Sequence, residues 1–260
     1  MFKIHRHTTS HICLIIIMHT HLYPIILHNR WIIILLNILL VHIIMDKNIN
    51  IDHKLIEYIF THTSNLHPVQ KELIKYNESL GHIKRLQISI LQANFLQFLI
   101  KSRNINNCLE VGTFTGYSTL SIALSLNKNG KIFTIDKDKA KNTIAKSFFK
   151  KAKVSNKIKT EVSNGNDALI KLIKNKKKYD LILIDADKEN YISYFDKSLK
   201  LLSKNGLLVV DNILWKGEIT NVNSKDKLTQ KIKIFNQHVK KSKINKYILP
   251  IGDGFYICWK

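Results

Sequence analysis

The chain contains few cysteines, and they form no pairing pattern. Its 260 residues include only Cys13, Cys108 and Cys258, which are far apart and include no C-x-x-C pair. Such a set indicates neither a disulfide framework nor a cysteine-based zinc site. We therefore expect a reducing compartment, the cytoplasm.

Acidic residues are absent from the start of the chain. Residues 1–44 contain no Asp or Glu, and they hold two apolar runs, 12–18 and 31–44. Neither run reaches the roughly 20 apolar residues that a membrane-spanning helix needs. No small-residue cleavage site follows them, as one would after the apolar part of a signal peptide. We predict that residues 1–44 are a hydrophobic, histidine-rich extension outside the fold and that residues 45–260 form one domain. A membrane anchor in the extension is the alternative.

The charge of the chain is strongly one-sided. Lys and Arg number 41 against 19 Asp and Glu, which gives a formal net charge of +22. Such a balance is typical of proteins that bind nucleic acid or anionic surfaces. Apart from residues 174–178, however, the basic residues are spread along the chain, which favours a solvated basic surface. A polyanionic partner stays open as the alternative.

The G-x-G-x-x-G pattern of dinucleotide-binding proteins is also missing. Residues 108–118 read C-L-E-V-G-T-F-T-G-Y-S instead, with the apolar end of a strand, two turn-forming glycines (Gly112 and Gly116) and then helical spacing. A strand, a glycine turn and a helix open a ligand crevice at the carboxyl edge of a sheet. Glu110 precedes this turn, and a carboxylate there suits a cationic ligand better than a diphosphate. This indicates S-adenosylmethionine, which carries an ammonium and a sulfonium group.

Three further apolar runs end in acidic residues. Asp136 closes one run, where its carboxylate could accept hydrogen bonds from a ribose diol. Asp185 ends a later run, and Asp211 with Asn212 ends the next. If these strands are parallel neighbours, their acidic ends meet at the same edge as Gly112. Hard oxygen ligands of this kind suit Mg²⁺, Mn²⁺ or Ca²⁺.

The apolar runs alternate with helical patterns, which is typical of a parallel sheet with crossover helices. The predicted strands of this α/β fold are 108–112, 131–136, 158–163, 179–185 and 206–211. Helices are predicted over 52–61, 69–79, 89–101 and 225–241. A terminal hairpin is predicted from 246–251 and 255–259, joined by the G-D-G turn at 252–254.

Five separated motifs together resemble one family. E-V-G-T-F-T-G-Y-S, the I-D at Asp136, D-A-D-K-E-N-Y, D-N-I-L-W-K-G and L-P-I-G-D-G resemble the cation-dependent class I O-methyltransferases. This is the caffeoyl-CoA and catechol O-methyltransferase group, and the bacterial members in particular. The resemblance covers about residues 45–260 and none of 1–44. It implies a Rossmann-like, seven-stranded, mostly parallel sheet with helices on both faces, a C-terminal antiparallel hairpin, and a homodimer.

The resemblance also implies roles for individual residues. The residues implied to contact S-adenosylmethionine are Glu110, Gly112 and Ser118 at its amino-acid end, Asp136 at the ribose, Asp167 and Ala168 beside the adenine, and Asp185. The implied ligands of a divalent cation, Mg²⁺ first with Mn²⁺ and Ca²⁺ as alternatives, are Asp185, Asp211 and Asn212. Lys188 matches the lysine near the substrate hydroxyl and is the expected catalytic base.

The implied reaction moves a methyl group from S-adenosylmethionine to a hydroxyl oxygen of a small catechol-like or other vicinal-diol acceptor. Residues 86–88 and Lys216 depart from the family pattern near the acceptor, so the acceptor stays open. A hydroxylated uridine in tRNA is the alternative substrate, which the basic charge would suit. A non-catalytic relic that binds S-adenosylmethionine or is tethered to a membrane is the alternative of another class. A nicotinamide dehydrogenase is disfavoured because G-x-G-x-x-G is missing.

Overall fold

The computed structural model describes residues 33–37, 49, 51–63 and 65–260. The chain divides into two compact units, Met1–Asn65 and Leu66–Lys260. Most of the predicted extension lies outside the described residues, and the predicted domain boundary after residue 44 stays a prediction.

The first unit contains the exposed helical residues 33–37 and helix α1, His53–Thr61. Asp52 caps α1, since its carboxylate accepts a hydrogen bond from the backbone N–H of Leu55 at 2.9 Å. Over the whole described part of the chain, no helix has the length and apolar character needed to cross a membrane. The cytoplasmic location and the homodimer stay predictions.

The second unit is built on a seven-stranded sheet. Its strands are β1 Asn107–Val111, β2 Lys131–Asp136, β3 Ile158–Val162, β4 Tyr179–Ile184, β5 Leu202–Val210, β6 Asn245–Leu249 and β7 Phe255–Trp259. Its α-helices are α2 Pro68–Glu78, α3 Ile90–Ser102, α4 Tyr117–Ser125, α5 Lys139–Lys151, α6 Gly165–Lys174, α7 Tyr191–Leu201 and α8 Lys227–Lys241. Short 3₁₀ helices are Gly81–Leu86, Ser155–Lys157, Lys188–Asn190 and Trp215–Thr220.

The strand order is β3-β2-β1-β4-β5-β7-β6. Strands β1 to β5 are parallel, and β7 pairs antiparallel with both β5 and β6. The chain adds β2 and β3 on one side of β1 and then crosses to the other side for β4, so the order reverses between β1 and β4. Ligands of open α/β sheets bind outside the carboxyl ends of the strands at such a point. The predicted sheet and its terminal hairpin are confirmed.

Helices cover both faces of the sheet, as the uninterrupted apolar strands require. Within β4, Leu181 and Leu183 pack into a core with α2 to α5, whereas Ile182 and Ile184 pack into a second core with α6 to α8. Because both faces are buried at the centre of the sheet, β4 and the second half of β5 show little polar alternation, and the sheet is fixed between two helical layers.

Strand β5 starts earlier than predicted, at Leu202 instead of residue 206. Leu202 pairs with Tyr179, but the next pair joins Leu181 to Leu207, so the pairing is irregular between them. The intervening residues 203–205 are polar, and an apolar pattern therefore does not reveal this part of the strand.

Candidate active site

One large cavity lies beyond the carboxyl ends of the parallel strands. Its volume is about 1400 Å³, which exceeds the roughly 300–1,000 Å³ of a typical small-ligand pocket and leaves room for two reactants. The predicted site residues that line it are Gly112, Ser118, Asp136, Asp185, Lys188, Asp211 and Asn212. The structure therefore brings these seven residues, which include all three predicted cation ligands, into one space.

The backbone pairing of the strands continues one residue past their ends and aligns this edge. The N–H of Asp185 donates to the carbonyl of Val111 at 2.9 Å, and the N–H of Asp211 donates to the carbonyl of Ile184 at 3.0 Å. As a result, the residues that follow β1, β4 and β5 lie side by side at the mouth of the crevice.

Gly112 leaves β1 in a conformation and a space that only glycine tolerates. Its φ is +107°, and a Cβ atom there would lie 1.8 Å from the carbonyl oxygen of Asp185. The glycine thus lets the backbone after β1 lie directly against the end of β4.

Asp136 holds the glycine turn against the end of β2. Its Oδ2 accepts backbone hydrogen bonds from Thr113 at 2.9 Å and Phe114 at 2.7 Å. Its Oδ1 accepts one from Asp138 at 2.9 Å. Since an ionised carboxylate offers about four acceptor positions, Asp136 keeps capacity for a ligand hydroxyl on the cavity side.

Glu110 does not line the cavity. Its side chain is fully buried, and Oε2 accepts hydrogen bonds from the hydroxyls of Thr119 and Thr134, while Oε1 has no partner. Burial raises the pKa of Glu110 to about 7, although the surrounding hydroxyls lower it. In this structure the carboxylate joins β1 to α4 and β2 behind the cavity wall.

Asp167 and Ala168 also lie outside the lining of the cavity. Asp167 is exposed in the first turn of α6, and Ala168 is buried in the core behind it. The cavity is lined here by Ser163, Asn164 and Gly165, which precede them in the chain.

Lys188 connects the strand ends on the other side of the cavity. Its Nζ donates to Asp185 Oδ1 at 3.2 Å, to Tyr191 Oη at 2.6 Å and to Asn212 Oδ1 at 2.5 Å. One positively charged nitrogen therefore already lies between two of the three predicted cation ligands.

Asp211 is almost completely buried, with 2% of its surface exposed. Its Oδ1 accepts hydrogen bonds from Gln92 Nε2 at 2.6 Å and from the N–H of Asn212 at 2.5 Å. Burial, followed by the negative charge of Asp185, raises the pKa of Asp211, while Lys188 and the hydrogen bonds lower it. A second positive charge at this point would offset the cost of burying two neighbouring carboxylates.

The donor set fits a divalent cation with an incomplete protein shell. It offers two carboxylates, Asp185 and Asp211, and the amide oxygen of Asn212, which are hard oxygen ligands. Within the described ranges, no three His, Cys, Asp or Glu side chains group together as a metal site. Waters or substrate oxygens would therefore have to complete the coordination, as is usual for Mg²⁺.

Sequence reasoning missed two side chains that support this site, Gln92 and Tyr191. The Ser89-x-x-Gln92 pattern is a capping box and could have indicated the start of α3. A local pattern contains no information on the partner of Gln92, Asp211, which is 119 positions later in the chain.

Solved structures define the class of protein. The O-methyltransferase from Bacillus cereus, solved in complex with SAH, superposes with a TM-score of 0.70 at 26% identity, covering 78% of this chain and 96% of that one. This chain has the class I methyltransferase fold, with a cavity where the strand order reverses and a terminal antiparallel hairpin.

Sequence comparisons define the family. A profile described as O-methyltransferase matches residues 60–260. The flavonoid 3',5'-methyltransferase of Vitis vinifera is 33% identical over 66% of this chain and 78% of its own length. The caffeoyl-CoA O-methyltransferase of Populus kitakamiensis is 30% identical over 78% of this chain and 91% of its own. The chain belongs to the O-methyltransferase family, and the resemblance of its motifs to the caffeoyl-CoA O-methyltransferase group is confirmed.

Proposed function

We propose that the protein transfers a methyl group from S-adenosylmethionine to a hydroxyl oxygen of a small catechol-like or other vicinal-diol acceptor, with the help of Mg²⁺. One observation carries this proposal. A single cavity joins the glycine turn and Asp136, on the donor side, to Lys188 and the acidic strand ends on the other side.

The donor side has the chemistry that S-adenosylmethionine needs. The Bacillus cereus relative binds SAH, which is what remains of this donor after methyl transfer. In this chain, Asp136 offers carboxylate acceptors for ribose hydroxyls, and Gly112 lines the same cavity and lets the end of β1 lie against the end of β4. Residues 163–165 line the cavity and lie next in the chain to the Asp167–Ala168 segment that the resemblance puts beside the adenine.

Asp185, Asp211 and Asn212 would hold the cation. When bound, it supplies a positive charge that stabilises an ionised acceptor oxygen. Two of these residues already surround the ammonium of Lys188, which supports a preference for positive charge at this position.

Lys188 is the proposed general base. In its unprotonated form, Nζ would take the proton of the acceptor hydroxyl. The acceptor oxygen then attacks the methyl carbon of the donor, and the carbon–sulfur bond breaks as the carbon–oxygen bond forms, so that a neutral thioether leaves. Tyr191 and Asn212 hold Nζ in place, and the cavity walls hold donor and acceptor close together, which contributes much of the acceleration.

The test is methyl transfer by the full-length chain from methyl-labelled S-adenosylmethionine. Catechols, hydroxycinnamoyl thioesters and undermodified tRNA are offered separately, with Mg²⁺ or with EDTA. We expect a labelled small-molecule product with Mg²⁺, loss of that product with EDTA, and recovery on adding excess Mg²⁺. Label found only in tRNA contradicts the proposed acceptor. Transfer that survives both EDTA and the substitution Asp211→Ala contradicts the role of the cation.

A further inference from the structure

We propose that Gln92 is a positioning residue that fixes the carboxylate of Asp211 for binding the cation. The inference rests on the proposed cation site and adds to it a residue from a distant part of the chain. Gln92 lines the cavity at the start of α3 and is 2% exposed.

The amide of Gln92 has only one orientation that satisfies its neighbours. Its Oε1 accepts a hydrogen bond from the backbone N–H of Ser89 at 2.9 Å, and its Nε2 donates to Asp211 Oδ1 at 2.6 Å. A backbone N–H can only donate and a carboxylate oxygen accepts, so a flipped amide would lose both hydrogen bonds. The start of α3 therefore holds the Nε2 group of Gln92 towards Asp211.

The two oxygens of Asp211 have different surroundings as a result. Oδ1 receives the hydrogen bonds from Gln92 and from the N–H of Asn212, which together fix the plane of the carboxylate. Within the described chain, Oδ2 forms no hydrogen bond with the protein. This leaves Oδ2 as the oxygen that is available to a cation.

The turn of the terminal hairpin packs against the same amide. Gly252 has φ +57°, and a Cβ atom there would lie 2.4 Å from Gln92 Oε1 and 3.0 Å from Ser89 Oγ. The start of α3, the end of β5 and the turn between β6 and β7 thus meet at Gln92, so its position is fixed by three separate segments.

The chain offers a matched control in Gln70. Gln70 is also 2% exposed, and in the capping box of α2 its Oε1 accepts from the N–H of His67 at 3.0 Å. Its Nε2 donates to Ser121 Oγ at 2.8 Å, and neither residue lines the cavity. Gln92→Met and Gln70→Met therefore each remove one capping hydrogen bond and one hydrogen bond donated by the side-chain amide. The first pair lies beside the proposed cation site and the second away from it.

The experiment measures Mn²⁺ affinity by the electron paramagnetic resonance signal of free Mn²⁺, without donor or acceptor. Removing a partner of a metal ligand typically weakens metal binding by roughly 10–100-fold, and we expect a loss of this size in Gln92→Met. In Gln70→Met we expect a change below about twofold, because its hydrogen bonds do not involve a cation ligand.

Glycine variants give a second readout that keeps the capping glutamine. Gly252→Ala should weaken Mn²⁺ binding, since the new methyl group displaces the amide of Gln92. Gly81→Ala is its control, because Gly81 has a similar φ of +63° but no atom near the new methyl group. If circular dichroism shows that Gln92→Met does not fold, the comparison of Gly252→Ala with Gly81→Ala becomes the test of the proposal.

The outcomes separate this inference from the proposed function. If the wild type binds Mn²⁺, Asp211→Ala does not, and Gln92→Met binds as tightly as the wild type, the role of Gln92 is overturned while the cation site stands. If the wild type itself binds no Mn²⁺, the cation site fails and the inference fails with it.

Discussion

The buried carboxyl of Glu110 makes the stability of the protein depend on pH, and Glu110→Gln should remove that dependence. Burial raises the pKa of Glu110 from an ordinary 4.5 to about 7 in the folded protein. Between these values the folded state binds more protons than the unfolded state, so the free energy of unfolding falls as the pH rises through this window. At 1.36 kcal/mol per pKa unit, the full effect is about 3 kcal/mol. A glutamine side chain has nearly the same shape as glutamic acid but does not ionise in this pH range, so it should remove the pH dependence.

Urea unfolding of both proteins at about pH 4 and about pH 8.5 brackets this window. The free energy of unfolding of Glu110→Gln, compared with that of the wild type, should be about 3 kcal/mol more favourable to the folded state at the higher pH than at the lower one. Glu78→Gln serves as the control, because Glu78 is an exposed carboxylate in a surface ion pair with Lys84. Since such pairs contribute at most about 1 kcal/mol, its effect should stay well below that of Glu110→Gln at either pH. The reasoning is refuted if the difference between Glu110→Gln and the wild type is the same at both pH values.

Three other substitutions test the cavity itself. Asp136→Asn removes a charged acceptor and should weaken SAH binding in calorimetry by roughly 10–100-fold, since hydrogen bonds to charged groups are worth about 1.5–3 kcal/mol; unchanged affinity would contradict its donor role. Gly112→Ala should lower the urea midpoint strongly, because its Cβ would meet the carbonyl of Asp185 at 1.8 Å. Gly217→Ala is the control, since Gly217 has a φ of +83° but open space around it, and it should lower the midpoint less. Equal losses in the two variants would exclude the steric argument. Lys188→Met should lower kcat by roughly 10²–10⁴ with SAH affinity unchanged, and a kcat within about twofold of wild type would remove it as the base.

The sheet and the shared edge of the cavity were predictable because their causes are local or topological. Apolar runs, glycine turns and helical spacing are short-range patterns. Once the strands are parallel, Gly112, Asp136, Asp185 and Asp211 must end at the same edge, whatever the details of packing. The structure brings all four to one cavity.

The direction of individual side chains was harder to predict. Successive residues of a strand point to opposite faces, so Glu110 lies on the face opposite to Leu109 and Val111, where it meets Thr119 and Thr134 instead of the cavity. That alternation is visible in the sequence, whereas the position of Glu110 directly before the glycine turn had indicated a contact with the ligand.

Other features of the site depend on tertiary contacts and leave no local signal. Whether residues 163–165 or residues 167–168 line the cavity depends on how the first turn of α6 is rotated. The contact between Gln92 and Asp211 joins segments that only the folded sheet brings together.

The central claim is that the donor and the cation occupy the same cavity at the carboxyl edge of the sheet. The most direct measurement is the ¹³C NMR signal of methyl-labelled S-adenosylmethionine bound to the protein, recorded with and without Mn²⁺. A paramagnetic ion in the same cavity should broaden the methyl signal strongly, and Asp211→Ala should abolish the broadening while the donor stays bound. A methyl signal that stays sharp while the wild type binds both the donor and Mn²⁺ would contradict the account.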